Sequence, residues 1–139
     1  MLRRATLAAL ILLACFIAAK NVSAQKTVRL SSTPSAFQVF YKKFAKAVNR
    51  GVGTEIAAMT SFPFKWGFDA GDEGVWSRHE FVKEYGKIFM PQPLVFKRKD
   101  PQFTVDGLSY TLTDADDASY FTFKKKGGTY KLASYIVEP

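Results

Sequence analysis

The chain reads as an α+β domain, with three N-terminal helices packed on a curved antiparallel sheet of four to six strands. Three features lead there. An aromatic stripe at helical spacing runs from Phe37 to Val48. A capping-box signature at Ser77 opens a second strong helical segment. After Pro93 the apolar residues alternate at the two-residue period of strands, punctuated by Asp106-Gly107 and Gly127-Gly128.

Residues 1–24 read as a secretory signal peptide. Arg3 and Arg4 form a basic start, Ala5 to Ala19 an apolar run, and Val22 and Ala24 stand where signal peptidase reads, so cleavage falls before Gln25. The run is shorter than the ~20 residues that a membrane-spanning helix needs, so the mature chain is expected to carry no transmembrane span. Export to the periplasm or the exterior follows. A lipoprotein anchored through Cys15 is the minor alternative. Cleavage removes Arg3, Arg4 and Lys20 but no acid, which lowers the net charge from +8 to +5. It also removes Cys15, the one cysteine, so neither disulfide nor thiolate chemistry is expected. Residues 25–139, about 115 in number, suit a single domain with one core.

The first helix is expected between Ser32-Thr33-Pro34, a cap followed by a helix-starting proline, and Gly51, a residue suited to the left-handed stop. Phe37, Phe40, Tyr41, Phe44 and Val48 fall on one stripe; Lys42, Lys43, Lys46, Asn49 and Arg50 lie opposite. That basic side is either an ordinary solvated face or a surface for an anionic partner. A short second helix follows from Thr54, a capping residue, with Ile56, Ala57 and Met59 as its apolar contacts. It ends before Pro63, which disfavours helix at Phe62.

Phe62 to Phe68 alternates as a strand, and Pro63 places it at a sheet edge or strand start. Asp69 to Gly74 reads as an acidic loop without calcium-loop spacing, so no metal site is expected. Ser77-Arg78-His79-Glu80 is a capping box before Phe81, Tyr85, Ile88 and Phe89. Met90-Pro91-Gln92-Pro93 breaks that helix. His79, the only histidine, sits about 200° around the helix from Phe81 and is expected at the surface.

Everything beyond Pro93 reads as strand. Leu94 to Lys99 is the first. Phe103-Thr104-Val105 and Leu108 to Leu112 flank an Asp106-Gly107 turn, with Leu108, Tyr110 and Leu112 on one face. Tyr120 to Lys126 and Thr129 to Val137 flank Gly127-Gly128. The last strand has apolar residues on both faces: Tyr130, Leu132 and Ile136 on one, Ala133, Tyr135 and Val137 on the other. Covering on both faces or an oligomer interface would account for that.

The aromatic first helix, Met59 to Phe64, the Ser77 to Phe89 helix, and the segments Phe121 to Lys125 and Tyr130 to Leu132 together resemble the nuclear transport factor 2-like superfamily, the cystatin-like α+β cone, over about residues 30 to 138. The chain looks most like its small exported bacterial members of unassigned function. The resemblance implies helices and sheet enclosing a pocket, and a homodimer through the sheet. The superfamily holds enzymes and binding domains alike.

Tyr41, Phe44, Trp66, Tyr85 and Tyr110 are the candidate pocket residues; the same side chains can instead fill the core with their polar tips hydrogen-bonded. No catalytic or metal motif is legible, and no cofactor is expected. The first functional reading is an exported noncatalytic binding or interaction domain for a small molecule or protein. The alternative is an isomerase- or dehydratase-type enzyme using a pocket carboxylate, Asp69 or Asp106, with a tyrosine. A third, attachment to an anionic polymer, draws on Lys97-Arg98-Lys99 and Lys124-Lys125-Lys126, but strand alternation would send neighbouring lysines to opposite faces. Export argues against nucleic acid as the partner.

Overall fold

The computed structural model describes residues 25–139. The expected signal peptide, its expected cleavage site and Cys15 lie outside them. Seven strands form one sheet in the order β1-β4-β5-β6-β7-β2-β3. The strands are β1 (Lys26–Arg29), β2 (Thr60–Phe68), β3 (Asp72–Trp76), β4 (Gln102–Asp106), β5 (Ser109–Asp114), β6 (Ser119–Lys126) and β7 (Thr129–Val137). The helices are α1 (Ser35–Arg50), α2 (Gly53–Ala58), α3 (Arg78–Glu84) and α4 (Gly86–Phe89).

The α+β class stands, but the counts exceed three helices and four to six strands, and the sheet is mixed. β2 pairs with β7 in parallel, while every other pairing is antiparallel. The extra strands come from two segments without a strand pattern of their own. Lys26–Arg29 is short and open to solvent and is held by pairing with β4. Asp72–Trp76, expected largely as loop, is the return arm of a hairpin on β2. Gly74 serves that close pairing, because a Cβ there would lie 2.9 Å from the Trp66 ring.

α1 is built as its stripe dictates. Phe37, Tyr41, Phe44 and Val48 are buried, Phe40 is half-buried, and Lys42, Lys43, Lys46, Asn49 and Arg50 are exposed. Gly51 ends the helix at φ 68°, where its N–H reaches the carbonyls of Ala47 and Val48. The start differs from expectation. Pro34 is the cap position, and the Thr33 hydroxyl donates to Leu30 O at 2.6 Å, closing the preceding turn. Nor does Thr54 cap α2, whose N-cap is Val52.

The capping box of α3 is present in both directions: Glu80 N–H donates to Ser77 Oγ at 3.2 Å, and Ser77 N–H to Glu80 Oε2 at 2.7 Å. The long helix expected up to Phe89 is broken at Tyr85, ahead of Gly86, the poorest helix former short of proline. Tyr85 is half-buried, while Phe81, Ile88 and Phe89 are buried. His79 is exposed.

Pro63 lies inside β2, between two neighbouring strands rather than at an edge. Its missing N–H is accommodated where the ladder to β7 is interrupted, between Thr60 and Lys65. Leu94 to Lys99 is not a strand: Leu94–Lys97 is a 3-10 turn following Pro93. In the next hairpin the turn residues are Gly107-Leu108, since Asp106 pairs with Ser109. The faces are unchanged by this two-residue slip, but Leu108 leaves the strand and is 71% exposed.

The apolar pattern on both faces of β7 has a local cause. Thr122 pairs with Ser134 and Phe123 with Leu132, leaving Ala133 as an extra residue in a bulge. The bulge rephases the strand, so that Leu132 and Tyr135, three apart, both bury against β6 residues Phe123 and Phe121.

Candidate functional site

The space between α1 and the sheet is occupied by interlocked rings. Phe37 stacks on Tyr110 with centroids 4.2 Å apart. Tyr41 meets Phe103 edge-on at 5.0 Å, and Phe44 meets Phe123 edge-on at 5.1 Å. Phe37, Tyr41, Phe44, Phe103 and Phe123 are each 0–1% exposed. Burying each such ring contributes about 1.5–3 kcal/mol, and their edge-to-face geometry adds to that.

The five candidate pocket residues therefore do not converge on one cavity. Tyr41, Phe44 and Tyr110 are parts of this ring layer. Trp66 belongs to a second group, 5.2 Å from Phe68 and 5.4 Å from Trp76. Tyr85 bridges helices: its hydroxyl donates to Gly51 O at 3.1 Å, and its ring fills the space that a Cβ on Gly53 would take. Two polar tips lack the partner expected of them. Tyr41 Oη and Trp66 Nε1 are buried with no hydrogen bond. An unmade bond of this kind costs about 1–3 kcal/mol.

Tyr41 also reaches a surface cleft of about 430 Å³ between α1 and the segment that follows Pro93. Buried Leu30, Tyr41 and Ala45 form its base. Lys42, Lys46 and Arg50 line it from α1, and Lys97, Arg98 and Lys99 from the other wall. Asn49 fastens the two walls, its Nδ2 donating to Phe96 O at 3.0 Å. Burial pushes the Tyr41 phenol pKa well above its ordinary value, and the Arg98 charge opposes part of that rise. A neighbouring groove between α1 and α2 shares Lys46 and Arg50 and adds Lys43, so the basic surface continues around the helix.

The strand expected over Leu94 to Lys99 would have divided Lys97, Arg98 and Lys99 between two faces. The 3-10 turn and the extended residue after it bring all three to one cleft instead. The other basic run obeys strand geometry. Lys126 Nζ donates to Ser61 Oγ at 3.4 Å, and Lys125 Nζ lies 5.8 Å from the centre of the Tyr130 ring.

A second cleft of about 430 Å³ lies where Met90–Leu94 passes the β5–β6 turn. Asp114, Asp116, Asp117 and Tyr135 line it, with Lys87 on the opposite wall. Asp114 is 5% exposed and Tyr135 7%. Asp114 Oδ1 accepts from Asp116 N–H at 3.2 Å. Burial raises the Tyr135 phenol pKa; hydrogen bonding with Ser119 counters it, and the charges of Asp117 and Asp114 add to the rise. Asp114 thus shares a cleft with a buried tyrosine, whereas Asp69 and Asp106 are exposed. Its place was legible: Asp114 continues the Tyr110, Leu112 parity onto the core face. Among the described residues no group of three His, Cys, Asp or Glu side chains is arranged to hold a metal, and no helix is long and apolar enough to cross a membrane.

No protein-family model matches the chain, and no curated protein matches it at a significant level. Similar solved structures include an NTF-2-like protein of unknown function from Silicibacter pomeroyi, 17% identical over 73% of this chain and 91% of its own, with a TM-score of 0.43. A domain of unknown function with a cystatin-like fold from Nostoc punctiforme is 16% identical over 73% of this chain and 74% of its own, with a TM-score of 0.39. An uncharacterised protein with a cystatin-like fold from Caulobacter vibrioides is 13% identical over 76% of this chain and 89% of its own, with a TM-score of 0.43. These carry the names of the superfamily that the sequence resembles. At these identities and TM-scores they assign this chain neither a family nor an activity.

Proposed function

We propose that the chain is an exported, noncatalytic binding domain that meets its ligand at its surface. The observation that carries this reading is the closed ring layer between α1 and the sheet, where a pocket of the cone type would otherwise open. The pattern of residues 1–24 supports export. A homodimer through the outer sheet face, where Tyr120, Thr122 and Ile136 are half-buried, is the partner that the resemblance implies; sedimentation equilibrium reads it directly.

One observation favours the enzymatic alternative. Buried Asp114 and Tyr135 share an open cleft, and a carboxylate beside a phenol is a donor set for acid–base chemistry. Assay against a panel of isomerase and dehydratase substrates separates the readings. The binding reading expects no turnover, and an environment-sensitive naphthalene dye finds no interior site in the native protein. Turnover that disappears in Asp114→Asn would replace it with the enzyme.

A further inference from the structure

Lys42 and Lys46 stand one turn apart on the outer side of α1 and share a cleft with Lys97, Arg98 and Lys99. None of these five cations has an ion-pair partner among the described residues, and no acidic side chain lines the cleft. Arg50 differs, being held by Glu55 at 3.3 Å. Like charges gathered in a concave site repel one another and focus a positive potential, which an anion relieves. Tyr41 is among the residues that line the cleft, and its hydroxyl is buried with no hydrogen-bond partner. The Asn49–Phe96 hydrogen bond fixes the distance between the walls.

A cationic rim over an unpartnered donor is the arrangement that an oxyanion completes. We propose that this cleft binds a phosphate group: Arg98 and the lysines hold its oxygens at the rim, and the Tyr41 hydroxyl donates to it from below. Five unpaired cations call for more than one negative charge. A phosphate monoester supplies ~2 charges at neutral pH and three strong acceptor oxygens, whereas a carboxylate brings one charge. The guanidinium fork of Arg98 suits two such oxygens at once. The cleft has room for the phosphate and part of the group that bears it. The bearer is either a free solute or a surface that displays phosphates, such as a lipid headgroup. This rests on the binding-domain reading and names its ligand class.

The test is titration calorimetry of the purified protein with inorganic pyrophosphate, at low and at physiological salt. Saturable binding is expected, weakening with salt. The Lys46→Gln/Arg98→Gln variant loses about tenfold or more in affinity, as removal of two charge-assisted contacts should cause. Lys124→Gln/Lys125→Gln, with the same change in net charge elsewhere on the surface, stays within about twofold of the parent, because screening weakens distant charges. Tyr41→Phe binds several-fold more weakly while melting no earlier than the parent. Co-sedimentation with phosphatidylglycerol vesicles, competed by pyrophosphate, assigns a displayed phosphate; pyrophosphate binding without vesicle binding assigns a solute. Absence of saturable binding, or equal losses in the two double variants, overturns the proposal. Hydrolysis of a phosphate ester at this cleft would support the phosphate site and overturn the noncatalytic reading.

Discussion

Replacing Tyr41 with phenylalanine removes one oxygen and leaves the ring in its contacts with Phe103, Phe123 and Phe96. In phosphate-free buffer at neutral pH the variant should be the more stable, because the parent buries a hydroxyl without a partner. The gain is about 1 kcal/mol, the lower part of the range for an unmade buried hydrogen bond, or a melting point higher by about 4 °C. A second effect appears in alkali. Unfolded, this phenol ionises near its ordinary pKa of about 10; folded, burial holds it protonated well above that. Between those two values the native state binds one proton more than the unfolded state, so stability falls as pH rises. The contribution is about 1.4 kcal/mol per pH unit. Tyr41→Phe lacks this loss, so the gap between variant and parent should widen from pH 10 upward. Urea unfolding of both proteins from pH 7 to 11 measures it, and taking the difference cancels every contribution that the two proteins share. Equal stability at pH 7 with parallel pH profiles would mean that the hydroxyl is solvated, and the reasoning about the cleft base would be wrong.

Phe123→Ala should cost about 3–5 kcal/mol, because Phe123 is fully buried against Phe37, Phe40, Tyr41, Phe44 and Phe103; denaturant midpoints at constant slope check it. Gly53→Ala drives a methyl into the Tyr85 ring and should destabilise by about 1–3 kcal/mol. Most of that should return in Gly53→Ala/Tyr85→Ala, relative to Tyr85→Ala alone. Ser77→Ala removes half of the α3 capping box and should cost about 1 kcal/mol, read as a lower melting point with an unchanged cooperative transition.

What the sequence made legible was whatever a single segment decides for itself. The α1 stripe, its Gly51 stop, the Ser77 box and the Gly127-Gly128 turn, both glycines at positive φ, are local and were read correctly. What partners decide was not visible. β1 and β3 have strand geometry only because β4 and β2 pair with them. The bulge at Ala133 could not be separated from a strand apolar on both faces, since the extra residue shows only in the pairing with β6. Leu94-Val95-Phe96 has strand composition, yet it forms a turn after Pro93 in which Phe96 O accepts from Asn49, a partner 47 residues away. The same turn hides the basic cleft from the sequence, because strand alternation over Lys97-Arg98-Lys99 would place neighbouring cations on opposite faces. Of the five expected pocket residues, Tyr41 reaches the proposed site, and it does so from beneath, as part of the core.

The account turns on where a ligand is met: outside the ring layer, at the cleft between α1 and residues 97–99. Amide chemical-shift mapping of the isotope-labelled protein during a pyrophosphate titration tests this directly. Shifts are expected at Lys42, Lys46 and residues 97–99, while the amides of Phe103, Leu112 and Phe121 stay in place. Shifts centred on Asp114 and Tyr135, or spread through the sheet interior, would contradict it.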